Sequence, residues 1–441
     1  MRTPSVPAIR RPPVPLVRTG RGPEDGHPQD RLHGLLVLLA TVAHVVAPRL
    51  VQSATAPKHR ALVGSDDIAT SAASGLTSSA TFLLLVTVCL LVLLVRLGRL
   101  PADGHARLLV ALAPWCYLVL RDLAAGSAPQ KVALLYPLLV VTVWSLQPRL
   151  DGLRGLAHVI GGLAALSLAM GVLTPEIGLY RASSGELVAP DKVIVPWGVL
   201  VGPFTNGNNL GQVLSLGLPT VLLLRRRPVA WAVGLLVVAA LVWSASRSSL
   251  AAAAAALGCA AALRLVPTGL RVAAGAAAVL GSVGAVVLLP LVTSSPTAFS
   301  NRGLIWNLSL ASVETSPLTG HGSSYFSTVG QYVNPLPRTA YHGHNEFVHV
   351  LVTGGVAYLL LLGVLVAVTA DRALRHLRTD GTGSLYPVTQ LVAVAVSCTL
   401  EVSFGTVDRS FLLAVTVLPL AWILFARSPR DTAVVSVAGT R

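Results

Sequence analysis

The chain has 441 residues, of which 53% are hydrophobic and only 12% are charged, whereas about one quarter of a soluble globular chain is charged. Its net charge is +15, but in so apolar a chain excess arginine first indicates membrane topology rather than nucleic-acid binding. The composition excludes a disordered chain, a disulfide scaffold and an ordinary soluble enzyme, and it predicts an all-α polytopic membrane protein.

Residues 1–31 are rich in Pro and Arg and lack an apolar period, which predicts a disordered basic tail. Apolar runs follow, each near the ~20 residues that a helix needs to cross a bilayer. The twelve predicted spans are 32–50, 79–97, 106–124, 131–147, 155–173, 207–224, 229–246, 249–265, 270–292, 347–370, 386–404 and 410–426. Transmembrane helices 1–9 therefore occupy 32–292, and helices 10–12 occupy 347–426.

The predicted loops are unequal. Residues 293–346 form the longest loop, for which we expect short helices and a functional role, because long ordered loops tend to be functional. An even number of spans puts both termini, including the tail 427–441, on one side of the membrane. Most of the Lys and Arg residues then fall on that side, which the positive-inside rule makes cytoplasmic.

The 33 Lys and Arg residues leave eleven on the predicted outer side that this rule does not explain, and two arginines stand out among them. Arg247 lies in a short polar patch between two apolar runs, at the outer tip of a helical hairpin. Arg302 opens a predicted helix in the long loop, and its apolar residues at 304, 305 and 308 could lie on the membrane surface. Either arginine could bind a phosphate group with its guanidinium fork, or could simply reach the interface with a long side chain.

A cluster of His342, His344 and His349 with Glu346 stands where the long loop enters span ten. A neutral histidine there could act as a general base. His342, Glu346 and His349 would share one helical face and could bind a metal, although Gly343 disfavours a helix that begins at His342. Histidines that are merely hydrogen-bonded at the interface are a third interpretation.

A third polar patch, Gly202-Pro-Phe-Thr-Asn-Gly-Asn208-Asn209, precedes span six. Its Asn and Gly residues suit a tight turn or a helix N-cap, or they could form a polar strip that lines a glycan path. No Asp-x-Asp sequence occurs, so the common metal–diphosphate site of glycosyltransferases lacks its ligands. Cys89, Cys116, Cys259 and Cys398 each lie in an apolar run, which indicates neither disulfides nor a zinc site.

Taken in order, these patches resemble the O-antigen ligase and O-antigen polymerase superfamily of bacterial surface-polysaccharide assembly. The matching segments are 202–209, Ser246-Arg247, 302–306 with 317–322, and His344-Asn345-Glu346-Phe347 with 352–356. The resemblance covers about 200–365 by motifs and rests on hydropathy before that. It implies an integral membrane glycosyltransferase that moves a glycan from an undecaprenyl diphosphate carrier to an acceptor sugar hydroxyl.

By the resemblance, His344 is the catalytic residue together with Arg247 and Arg302. In our interpretation His344 is the base, the two arginines bind the diphosphate, and one metal-independent displacement inverts the anomeric centre. The expected substrate-binding residues are His342, Asn345, Glu346, Asn208 and Asn209. We expect no metal and no cofactor.

The expected partners are the undecaprenyl-diphosphate-linked oligosaccharide donor, a glycan or lipid-glycan acceptor, and membrane lipids, without nucleic acid. The expected location is the bacterial cytoplasmic (inner) membrane, with multiple spans and both termini cytoplasmic. The motifs do not separate a ligase from a polymerase. A twelve-span secondary transporter is an alternative, but it should show internal repeats and midplane ionisable residues; a non-catalytic scaffold of a polysaccharide assembly complex is a second alternative.

Overall fold

A computed structural model of the chain describes residues 28–55, 59–60, 70–182, 193–329, 340–378, 383–404 and 410–427. The first helix, α1, spans Pro28–Thr55 and so begins inside the predicted basic tail. The remainder of that tail and most of the predicted C-terminal tail lie outside the described residues.

The described part of the chain is almost wholly helical. After α1 the α-helices are α2 (Ala72–Arg96), α3 (His105–Ala124), α4 (Leu135–Leu146), α5 (Arg154–Leu173), α6 (Pro175–Gly178), α7 (Gly207–Gly217), α8 (Arg227–Ser244), α9 (Arg247–Leu265), α10 (Arg271–Val292), α11 (Ala298–Val313), α12 (Glu346–His376), α13 (Tyr386–Cys398) and α14 (Val417–Phe425). Short 3₁₀ or π turns lie at Leu97–Arg99, Lys131–Leu134, Leu150–Leu153, Leu218–Leu223, Thr268–Leu270, Tyr325–Val329 and Ser410–Leu412. Two two-residue strands, β1 (His59–Arg60) and β2 (Arg181–Ala182), pair in parallel.

Helical segments of sufficient length and hydrophobicity to cross a membrane occur throughout the described residues. The seven are Gln29–Thr55, Ala72–Arg99, Leu150–Leu173, Arg227–Ser244, Arg247–Leu265, Thr268–Val292 and Glu346–His376. Two apolar helical segments, Lys131–Leu146 and Tyr386–Cys398, are shorter. The chain is therefore an all-α multi-pass membrane protein. Each of the twelve predicted spans contains helical residues, but the count of twelve stays a prediction.

The long helix α12 is interrupted at Gly355, whose φ of 66° and ψ of −167° no other residue type readily adopts. Such a break frees backbone groups that must be satisfied elsewhere in a membrane protein. N–H groups of the segment 317–322 donate to the carbonyls of Val352 and Thr353 at 2.8 Å. Beyond the break, the N–H groups of Val356 and its neighbour donate back to carbonyls of the same segment. The segment 317–322 and the break in α12 at Gly354-Gly355 therefore form one backbone junction that these hydrogen bonds hold together.

Helix α3 holds this junction from the other side. The Arg121 guanidinium donates to the Gly320 carbonyl at 2.7 Å. The buried carboxylate of Asp122 accepts from the Ser323 N–H at 3.2 Å. Two adjacent residues near the end of α3 thus fix the loop that leads toward the histidine motif.

Helix α11 becomes regular at Arg302, because the three residues before it have left-handed backbone angles. This agrees with the prediction that Arg302 opens a helix. Its Ile305 and Trp306 side chains are buried, and they pack with Tyr325 and Val348 in a small second core. The apolar face at Ile305 therefore contacts protein rather than lying on the membrane surface, as the sequence had suggested.

Candidate active site

Four ionisable side chains from three separate segments meet beside the start of α12. Arg302 of α11 forms an ion pair with Glu401, which lies just after α13. The Arg302 Nε atom is 3.4 Å from His344 Nδ1. Glu401 Oε2 lies 3.8 Å from both His342 Nε2 and His344 Nδ1. His342, His344 and Glu401 are all buried, so these charges act on one another in a medium of low polarity.

The backbone at His344 is unusual. Its φ is 47°, in the left-handed region that is uncommon for residues other than Gly, although His, Asn and Asp adopt it more often than the rest. Asn345 then caps α12, because its side-chain oxygen accepts from the Val348 N–H at 3.0 Å. The cap forces a sharp turn immediately before the helix, and this turn directs the His344 ring toward Arg302 and Glu401.

The Asn345 side chain hydrogen-bonds three backbone segments. Besides capping α12, its amide group donates to the Val286 carbonyl at 2.9 Å and to the Thr399 carbonyl at 3.1 Å. It is fully buried. The residue expected to bind substrate therefore joins α10, α12 and the end of α13, and its role in substrate binding stays a prediction.

The Glu346 carboxylate is buried and accepts hydrogen bonds from the chain that follows α13. It accepts from the backbone N–H groups of Ser403 and Phe404 at 2.8 and 3.0 Å, and from the Cys398 thiol at 3.4 Å. These bonds hold the segment 399–404, which carries Glu401. Glu346 thus positions the partner of Arg302 rather than lying in the cluster itself.

The hydrogen bonds constrain the protonation of both histidines. The backbone N–H of His344 donates to His342 Nδ1 at 2.9 Å. His342 Nδ1 must therefore present a lone pair, and a neutral His342 carries its proton on Nε2, toward Glu401. Guanidinium nitrogens only donate, so His344 Nδ1 accepts from Arg302 in this arrangement. The Arg302 contact and the Glu401 contact therefore compete for the same atom of His344.

His342, His344 and Glu401 could also be considered as metal ligands, since their donor atoms lie within 4.8 Å of one another. Two contacts oppose this. The Arg302 guanidinium already pairs with Glu401, and the His344 backbone N–H occupies the His342 lone pair. A cation would have to displace a fixed positive charge, which favours the metal-free interpretation. The other predicted metal set is not assembled, because Glu346 binds backbone N–H groups and His349 stacks on Phe326.

Arg247 and the two asparagines lie on other helices. Arg247 is the first residue of α9 and is exposed. Asn206 caps α7 by accepting from the Asn209 N–H at 2.7 Å, as the N-cap interpretation of this patch predicted. Asn208 and Asn209 are half-buried on the first turn of α7.

Close packing brings the tip of the α8–α9 hairpin and the start of α7 together. A side chain at Gly211 would lie 2.7 Å from Ser246 Cβ, so only glycine permits this approach. Gln212 of α7 donates to Ser403 Oγ at 3.3 Å. Through Ser403, α7 contacts the segment 399–404, which carries Glu401. The direct contacts therefore bring together Arg302, His342, His344 and Glu401, while Arg247 lies beside Ser246 on the neighbouring α8–α9 hairpin.

Residues 199–363 match a family model that describes the O-antigen ligase domain. This part of the chain is similar to the O-antigen ligase family. No curated relative matches the chain. The matched range contains all four of the motif segments on which the resemblance rested, so that prediction is confirmed.

The O-antigen ligase domain includes Arg247, Arg302, His342 and His344 but ends before Glu401. Sequence reasoning missed this acid. One signal was available, since Glu401 is a lone acid near the end of the apolar run 386–404, and ionisable residues inside membrane segments are commonly functional. Its partner could not be read from the sequence, because Arg302 lies almost a hundred positions earlier.

An apolar cavity of about 360 Å³ adjoins the candidate site. Glu346 and Thr369 both line it, one on each side of the break in α12 at Gly355. The walls are apolar side chains of α10, α12, α13 and α14, among them Val286, Leu362, Val394 and Leu420.

Proposed function

We propose that this protein transfers a glycan from a polyprenyl diphosphate carrier to a sugar hydroxyl of an acceptor, at the outer face of the bacterial inner membrane. The observation that carries the proposal is the buried cluster of Arg302, His344 and Glu401. It combines a base, a carboxylate that can orient the base, and a cation for a leaving group, which are the parts that such a displacement requires.

In the proposed reaction His344 removes the proton of the acceptor hydroxyl while its oxygen attacks the anomeric carbon. The new C–O bond forms as the bond from that carbon to the diphosphate oxygen breaks, and the diphosphate leaves with the electron pair. Arg302 and Arg247 stabilise the growing negative charge. A single displacement of this kind inverts the anomeric centre.

The competition at His344 Nδ1 supports a coupling between donor binding and base activation. While Arg302 donates to Nδ1, the proton of a neutral His344 is on Nε2, and that nitrogen cannot accept another. When Arg302 turns to a bound diphosphate, Glu401 can accept a proton on Nδ1, and Nε2 becomes the free base. Glu401 then orients the ring and stabilises the imidazolium, as in acid–histidine pairs of hydrolases.

The apolar cavity supports a lipid-linked donor. Glu346, two residues from His344, lines it, and most of its other walls are apolar side chains. An apolar cavity beside the site can hold part of the hydrocarbon chain of a polyprenyl carrier while its diphosphate lies at the arginines.

Extraction of surface glycans from a deletion strain tests the function. The strain is complemented with wild type, Arg302→Ala or the exposed Arg375→Ala, and the glycans are separated by length. We expect Arg302→Ala to behave as the deletion and Arg375→Ala as wild type. Carrier-linked single repeat units without long chains indicate a polymerase, whereas long chains that stay on the carrier indicate a ligase. Glycans that never change would refute a transferase function.

Glu401→Gln keeps the size of the side chain but removes the charge that faces Arg302 and the two histidines. We expect the turnover of purified protein to fall about 10²-fold or more, because the base loses its orienting carboxylate. Glu401→Asp should recover part of this activity, a rescue that a purely structural role does not predict. The exposed Glu176→Gln at α6 is the matched control, and full activity of Glu401→Gln would remove Glu401 from the mechanism.

A further inference from the structure

A second group of basic side chains lies near the ends of α1 and α2. His44 of α1 is buried, and its Nδ1 atom is 3.5 Å from Thr81 Oγ1. The His44 ring lies 6.2 Å from the ring of Phe82. The Lys131 ammonium, at the start of the segment that leads into α4, lies 5.9 Å from the same Phe82 ring. His44 and Lys131 thus face a common aromatic side chain.

Arg49, slightly more than one turn after His44, completes this group. Its guanidinium carbon lies 5.6 Å from the ring centre of Phe204 and 5.4 Å from that of Phe411. One guanidinium nitrogen donates to the Val45 carbonyl of its own helix. Two rings that contact one guanidinium hold its plane in place while leaving its remaining N–H groups for a ligand.

The charge of this group is not neutralised by the protein. In the described residues neither Arg49 nor Lys131 forms an ion pair with a carboxylate, whereas Arg302 is paired with Glu401. Both cations also act electrostatically on the His44 ring. Cations inside membrane segments are costly and are commonly paired or placed on a substrate path. Arg49 is six residues from the end of α1, about 9 Å along the helix.

The basic group adjoins the candidate active site. Phe204 lies in the polar patch that leads into the Asn206 cap of α7. Phe411 follows the segment that starts at Glu401. Phe204 thus precedes the helix whose Gln212 contacts Ser403, and Phe411 lies in a 3₁₀ turn ten positions after Glu401.

We propose that Arg49, Lys131 and His44 bind the phosphate group of a lipid-linked acceptor. The inference rests on the proposed transferase function and names its second substrate class. Arg302 and Arg247 serve the donor diphosphate, and a second lipid phosphate would repel the first unless it had cations of its own. Only the acceptor hydroxyl reacts, so the phosphate ester of the acceptor stays intact. The acceptor is then itself carrier-linked, as chain polymerisation requires.

The test compares two acceptors that carry the same glycan, one linked to polyprenyl diphosphate and one to a neutral alkyl group. Wild type, Arg49→Gln and Lys131→Gln are reconstituted in vesicles, with the exposed Arg375→Gln as control. We expect KM for the diphosphate-linked acceptor to rise about 10- to 100-fold in the two variants, the loss of one charge-assisted contact. KM for the alkyl glycoside and KM for the donor should not change.

Two other results overturn the inference. A rise in the KM of the donor would assign the basic group to the donor diphosphate. An equal change in KM for both acceptors, or no change for either, would show that these cations do not bind an acceptor phosphate. Since Lys131 is exposed, its variant keeps the test decisive if Arg49→Gln does not fold.

Vesicle composition separates the acceptor phosphate from ordinary headgroups. The KM shift should be the same in pure phosphatidylcholine and in vesicles that contain phosphatidylglycerol. A shift that appears only with phosphatidylglycerol assigns the cations to membrane phospholipid and contradicts the proposal. If wild type transfers glycan to neither acceptor, the proposed function fails as well; if wild type transfers and the variants match it, only this inference fails.

Discussion

The His344→Asn enzyme is expected to transfer glycan about 10²–10⁴-fold more slowly than wild type, the contribution typical of a positioned general base. Asparagine is the substitution of choice because residue 344 has a φ of 47°, and Asn tolerates the left-handed region better than Ala does. The turn before α12 should therefore survive, and the loss of rate reports chemistry rather than unfolding.

Turnover and donor affinity should separate in this variant. We expect the Kd for the lipid-linked donor to stay near the wild-type value, since Arg302 and Arg247 remain. His158→Asn, at an exposed position on α5, is the matched control and should be fully active. A His344→Asn enzyme with near-normal turnover would move the base elsewhere, and a larger loss in His342→Asn would assign it to His342.

The sequence predicted the apolar helices and the positions of the site motifs well, because both are local. Apolar runs near 20 residues describe their own environment, and the N-cap at Asn206 is recognisable within a few residues of context. The predicted helix start at Arg302 also agrees with the structure. These features need no knowledge of how distant segments pack.

Long-range partners could not be predicted in the same way. Glu346 looked like a site acid because it stands beside His344, yet its carboxylate faces the N–H groups of Ser403 and Phe404. Glu401 was not singled out in the sequence, yet its carboxylate contacts Arg302. Which of the two acids faces the histidines depends on how the segment after α13 packs against the start of α12, and no local sequence pattern predicts that packing.

Short helices limit a prediction of the span count for a related reason. Span eleven was predicted over 386–404, but α13 ends at Cys398, and the residues after it form the irregular segment that carries Glu401. Apolar composition continues past the helix because this segment is buried in protein, where backbone N–H groups bind Glu346 instead of a helical carbonyl. Hydrophobicity reports burial, whereas helix length depends on these tertiary hydrogen bonds.

The two buried carboxylates, Glu346 and Glu401, have different roles. Glu346 satisfies the irregular backbone, and this leaves Glu401 at a fixed position opposite Arg302 and His344. The backbone junction between 317–322 and the break in α12 acts at the other end of the same half-helix. The His344 turn is therefore held from both ends, which is the rigidity that catalytic geometry requires.

Gly355→Ala should strongly destabilise the fold. A Cβ atom at this position would lie 2.3 Å from the Leu318 carbonyl oxygen, a backbone atom that cannot move away without breaking the junction. The φ of 66° and ψ of −167° add strain for any residue with a side chain. We expect a loss of at least about 3 kcal/mol in the free energy of unfolding.

The measurement is the melting temperature of purified protein in detergent, together with glycan transfer by the fraction that remains folded. Gly258→Ala in α9 is the matched control, because nothing lies within 4 Å of its added Cβ, and Ala is the better helix former by up to about 1 kcal/mol. It should melt at or above the wild-type temperature. A Gly355→Ala protein that melts with wild type would show that α12 can run through the junction unbroken, and the loop 317–322 would then no longer explain how the His344 half-helix is held.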